Sequence, residues 1–157
     1  MAKKSINWKL IIISFIIVFI VAFIGNIFTS QNTSSEWYES IKHPITPPNY
    51  IFPIVWTILF ILIALSLYFS LLNSGKNQKN SVFFSFGSNF IFNILWSLFF
   101  FSLKNPLLGL VDIFLVLITI IWMLFITYKI DKKAFWLLVP YLLWVSFASA
   151  LNLLIFI

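Results

Sequence analysis

The sequence predicts an all-α integral membrane protein, a bundle of five transmembrane helices. Three observations carry that prediction. The 157 residues are 62% hydrophobic and 9% charged, against about 45–50% apolar and about 25% charged in soluble domains. A chain that cannot cover its surface with polar groups needs lipid as its solvent. Its apolar residues also fall into five runs, each long enough to cross roughly 30 Å of hydrocarbon at about 1.5 Å per helical residue. Finally, these runs are apolar throughout and lack the alternation of the roughly 10-residue strands of a membrane barrel.

The runs are taken in order. Residues 8–28 form the first span, with Lys3, Lys4 and Lys9 ahead of its uncharged run from Leu10 to Phe28. A basic start before an apolar run resembles a signal peptide, but this run exceeds the 7–15 residues usual there, so it is expected to be retained. The second span covers residues 51–72 and is opened by Pro47, Pro48 and Pro53, residues suited to a helix start, where a missing N–H has no intrahelical partner anyway. Residues 82–103 form the third span. The fourth, 106–129, begins with Asn105-Pro106, read as N-cap and first helical residue. Residues 134–157 form the fifth, where Pro140 is expected to interrupt the helix. All five belong to one domain covering residues 1–157.

Three connections are short. The exception is the loop 29–50, which with the start of the second span gathers four of the six prolines, the only histidine and two of the four acidic residues. Long loops in compact proteins are usually functional or disordered. Its aromatic pair and Pro47-Pro48 point to an ordered one.

Lysine placement sets an orientation. The N-terminus, the second loop and the fourth loop carry eight lysines between them, whereas Lys42 and Lys104 lie on the other side. The positive-inside rule then puts the N-terminus in the cytoplasm and the long first loop outside. All ten basic residues are lysines spread between apolar runs, so the net charge of +6 reports orientation and no nucleic-acid partner is expected. The chain has no cysteine and a single histidine, His43, which excludes disulfides and thiolate or multi-histidine metal sites within one chain. No metal and no required cofactor are expected.

Helical spacing selects candidate inward faces. They are Trp56, Phe60, Ile63 and Leu67 in the second span, Ser85, Asn89, Asn93 and Ser97 with Trp96 in the third, and Tyr141, Trp144, Ala148 and Asn152 in the fifth. Trp8, Trp122 and Trp136 fit an interfacial belt, while Trp56 and Trp144 sit deeper and suit a pocket lining. The asparagine stripe fits either interhelical hydrogen bonding or ligand contact. Asp112 is the one ionisable residue inside a span, roughly 10 Å deep at about 1.5 Å per residue. Structural use, ligand contact and a proton role all remain open for it.

Together these pieces resemble the TspO/MBR family, the translocator proteins and tryptophan-rich sensory proteins. The resemblance rests on Trp37-Tyr38, Lys42-x-Pro44, Thr46-Pro47-Pro48 and Val55-Trp56-Thr57, followed by SNFIFNILWSLFF, VDIFLVLITI and PYLLWVSFASALN. It implies a five-helix bundle, often a homodimer, that binds porphyrins and other hydrophobic small molecules in an intramembrane pocket lidded by the first loop. By position, the resemblance assigns the pocket to Tyr38, Pro47, Trp56, Phe60, Asn89, Asn93, Trp144, Phe147 and Ala148. It further implies either transport of such ligands, for which Asp112 is the candidate charge, or light-dependent porphyrin degradation, for which Trp56 and Trp144 are the candidate catalytic residues. Ile45 stands where the family pattern carries a tryptophan, so the lid's packing is expected to differ there.

Overall fold

The computed structural model describes residues 5–157, and among these it contains six α-helices. They are α1 (Trp8–Thr29), α2 (Glu36–Ile41), α3 (Ile51–Asn73), α4 (Lys76–Ser97), α5 (Pro106–Ile130) and α6 (Lys132–Leu154), and a π-helical turn, Leu98–Ser102, continues α4. Lys3 and Lys4, used above for orientation, lie outside the described residues. Five helices are long and apolar enough to cross a membrane, α4 and the π turn together making the third span. The expected all-α, five-helix membrane bundle is what the chain forms.

Side chains cap the helices where the sequence supplies them. Asn7, Ser35 and Asn105 accept from the backbone N–H three residues on, at 3.0–3.3 Å. Asp131 caps α6 by accepting from Lys133 N–H at 2.7 Å. The spanning helices form a ring in the order α1, α3, α6, α5, α4 and back to α1. Within a bilayer there is little hydrophobic force between helices, so packing and polar contacts hold them. One such contact runs from Ser66 Oγ to the Ala134 carbonyl, 2.8 Å, joining α3 to α6.

Three boundaries differ from the sequence expectation. The third helix starts at Lys76 rather than 82, because a helix does not stop where lipid does. Its first turns, rich in Lys, Gln and Asn, are exposed, and the Gln78 side chain accepts from Gly75 N–H at 2.9 Å. Pro140 does not interrupt the last span, since α6 runs through it unbroken. Membrane helices commonly carry proline without breaking, because local adjustment and nearby groups can compensate for the freed carbonyl. The long loop is ordered, as its aromatic pair and Pro47-Pro48 suggest, but it also contains the helix α2, which the sequence reading did not include.

The π turn was not legible in the sequence, yet it organises the lid end of the bundle. Leu103 N–H bonds the Leu98 carbonyl at 2.8 Å, five residues back. Widening the turn lets the consecutive rings of Phe100 and Phe101 both point inward, at 2% and 5% exposure. Opposite them, α5 comes so close at Gly109 that an added Cβ would lie 2.8 Å from the Phe100 ring and 3.0 Å from its Cβ. Only glycine fits there.

Candidate functional site

Beneath α2 lies a cavity of about 280 Å³. Ala22, Gly25, Asn26 and Thr29 of α1 form one wall, and Phe52, Pro53, Trp56 and Phe60 of α3 the next. Asn93, Trp96 and Ser97 of α4 close the back with Phe101 of the π turn, while Tyr38 and Asn49 of the lid close the top. The inner surface is mainly aromatic. The Trp56 ring lies 5.5 Å from Phe60, 6.4 Å from Trp96 and 6.2 Å from Tyr141, and Trp96 stacks on Phe100 at 5.6 Å. Asn26 and Pro53 line the space and are also exposed, so it opens between the lid ends of α1 and α3.

The lid is seated by rings and latched by polar groups. Trp37 packs edge-on to Phe100 at 5.8 Å, and Tyr38 lies 5.5 Å from Phe101. The Asn49 amide donates to the Thr33 carbonyl and to Glu39 Oε1, both at 2.9 Å, and Glu39 also pairs with Lys42 at 2.6 Å. Burial first, and then the neighbouring Glu39 charge, push the Tyr38 hydroxyl up to about 12. Hydrogen bonds from Lys42 and then Asn49 hold the Glu39 carboxyl below its ordinary value. A lowered carboxylate stabilises the latch above the ordinary glutamate pKa, and that contribution is lost as the pH falls through Glu39's own lower value. The protection of the α2 amides, taken relative to the intrinsic exchange rate at each pH, is therefore expected to fall on acidification below about 4.3. In Glu39→Gln that protection should already be low at neutral pH and insensitive to acid. An acid response unchanged in Glu39→Gln would disprove the latch.

A second, smaller pouch of about 30 Å³ sits beside the cavity, sharing Tyr38, Phe52, Trp96 and Phe101 with it. Lys42, His43 and Thr46 lie at its lid side, and Ala148, Leu151 and Asn152 on its helical side. Below the cavity runs a buried hydrogen-bond chain. Asn93 Nδ2 donates to Tyr141 Oη at 3.0 Å, Tyr141 Oη donates to Asn89 Oδ1 at 3.0 Å, and Asn89 Nδ2 donates to Thr119 Oγ1 at 2.9 Å. It ties α4, α5 and α6 together.

Of the residues expected in the pocket, Tyr38, Trp56, Phe60 and Asn93 meet around the cavity, and Ala148 lines the pouch. The other four stand elsewhere. Asn89 is a layer below, committed to Tyr141 and Thr119. Trp144 packs against Phe52 at 5.8 Å and Phe147 at 5.7 Å without lining the cavity. Pro47 is half-buried in the lid and lines neither space. Asp112 is 2% exposed, away from both spaces, and its Oδ2 has no hydrogen-bond partner among the described residues. Ile45 is 62% exposed, so the missing tryptophan falls on the lid's outer surface and leaves its seat on Phe100 intact. The α1 wall was missed altogether. Its only sequence signal was Gly25-Asn26, a small and a polar residue inside an otherwise greasy run.

Five apolar helices around an aromatic, lidded cavity make this an integral, multi-pass membrane protein. The TspO/MBR family profile matches residues 14–157. The "Tryptophan-rich protein TspO" of Archaeoglobus fulgidus is 40% identical over 94% of this chain and 95% of its own length. A protein of the same name from Chlorobaculum tepidum is 42% identical over 84% of each. The "Tryptophan-rich sensory protein" of Cereibacter sphaeroides is 29% identical over 74% of this chain and 73% of its own. The chain belongs to the TspO/MBR family.

Proposed function

We propose that the protein is a membrane receptor that binds flat hydrophobic ligands, porphyrins foremost, in the cavity under α2. The observation that supports this most is the aromatic box of Trp56, Phe60, Trp96 and Phe101 on a space otherwise closed by a seated lid. Aromatic faces favour offset stacking with a planar ring system, and ligand sites are typically apolar clefts of about 300–1,000 Å³ with a few polar groups. The present volume, about 280 Å³, lies just below that range. A macrocycle would therefore have to lift α2 or project between α1 and α3 past Asn26 and Pro53. Lys42 and His43, beside the pouch, are suited to meet its carboxylates. The cavity is walled by one chain, so a homodimer, if formed, is not required to complete it. The lysine bias favours a lid facing away from the cytoplasm.

The test is a titration of the protein in nanodiscs with protoporphyrin IX, followed by tryptophan quenching. Saturable quenching, competed by a second planar ligand, is expected. Quenching that rises linearly with ligand, as in empty nanodiscs, would refute the reading.

A second reading, transport, is favoured by one observation, the buried Asp112 carboxyl, whose Oδ2 has no partner among the described residues. Ionisable groups in spans mark pathways by default. If Asp112 drives transport, proteoliposomes of Asp112→Asn will lose porphyrin uptake while keeping porphyrin binding. Equal uptake by both proteins removes Asp112 from the mechanism.

A further inference from the structure

The hydrogen-bond chain under the cavity has a direction, and that direction decides which end of the Asn93 amide a ligand meets. The chain is anchored at the Val116 carbonyl, which can only accept. Thr119 has one hydroxyl proton and gives it to that carbonyl at 2.8 Å, so its oxygen must accept from Asn89. Asn89 therefore directs Nδ2 at Thr119, 2.9 Å, and Val116 O, 3.4 Å, and turns Oδ1 to Tyr141. The Tyr141 hydroxyl must then donate to Asn89, 3.0 Å, which leaves it able only to accept from Asn93. Amide orientation follows from such networks; the direction here is set by Asn89 Nδ2 also facing the Val116 carbonyl at 3.4 Å, where an oxygen would be repelled, and each later link follows from that one. Asn93 ends up with Nδ2 held by Tyr141 and with Oδ1 on the cavity wall, without a partner among the described residues.

We propose that Asn93 Oδ1 is a specificity-determining acceptor that selects flat aromatic ligands carrying an N–H or O–H on their edge, with Tyr141 and Asn89 as positioning residues. This deepens the reading of the cavity as a planar-ligand site and rests on it, but not on the ligand being a porphyrin. A ligand with a carbonyl in that place would set two acceptors against each other in a buried space, where an unmade hydrogen bond is expensive.

Three tricyclic probes of one shape test it: carbazole (N–H), fluorene (CH₂) and 9-fluorenone (C=O), with affinities for the protein in nanodiscs corrected for lipid partitioning. Carbazole should bind wild type about tenfold more tightly than fluorene, and fluorene more tightly than fluorenone. Asn93→Leu should bring carbazole and fluorene within about twofold of each other. Tyr141→Phe frees the Asn93 amide to turn over, so the preference for carbazole over fluorenone should collapse. Equal affinities in wild type, a preference for fluorenone, or no binding of any probe overturns the proposal. A carbazole preference that survives in Tyr141→Phe overturns the positioning role. Loss of protoporphyrin binding with the carbazole preference intact would sink only the porphyrin reading.

Discussion

Phe100→Ala is expected to unseat the lid and destabilise the protein by about 3 kcal/mol. This one ring faces Trp37, Tyr38, Trp96 and Phe101 and fills the gap left by Gly109. Buried Phe→Ala changes cost about 3–5 kcal/mol in soluble cores. The lower end applies here because packing rather than water exclusion holds helices together in lipid. Amide exchange in α2 should rise to the level of an unstructured loop, while α5 and α6 away from the π turn stay protected. If α2 remained protected, the π turn would not be the lid's seat. Gly109→Val attacks the same contact from the other side. Its side chain would run into the Phe100 Cβ as well as the ring, so the two helices would have to part.

Trp56→Ala should weaken protoporphyrin IX binding by about 10- to 100-fold, the loss typical of a central aromatic anchor. Trp144→Ala should change it by less than about threefold, as is usual for peripheral contacts. The contrast follows from geometry. The Trp56 ring is part of the cavity wall and touches Trp96 and Tyr141 across the bundle. Trp144 sits behind Phe52, against Phe147. The resemblance treats the two tryptophans as a pair, whereas the fold separates them. Equal losses in the two variants would mean that the ligand reaches past Phe52 to Trp144 itself, and the cavity assignment would fall.

Much of this protein follows from its sequence. Five apolar runs dictate five spans, because an unpaired backbone cannot cross hydrocarbon and a helix satisfies its own. Helical periodicity placed Ser85, Asn89, Asn93 and Ser97 on one buried stripe, and all four are buried. The motif at the first loop marked the lid, and the Asn105 and Pro106 signals marked the start of α5. Periodicity does not say what each residue faces. Asn89 and Asn93 share a face, yet one is consumed by Tyr141 and Thr119 while the other keeps an oxygen for the cavity. That depends on where α5 and α6 bring their hydroxyls.

The sequence by itself determined that this chain lives in a membrane, how many times it crosses, and where its unusual loop lies, since hydropathy and helix geometry are local properties. Only the tertiary structure decided that α1 forms a wall of the cavity, that a π turn seats the lid, and that Trp144 stands aside while Trp96 does not. These depend on side chains far apart in sequence meeting at ångström distances, and on one extra residue in a helical turn that re-aims every ring after it.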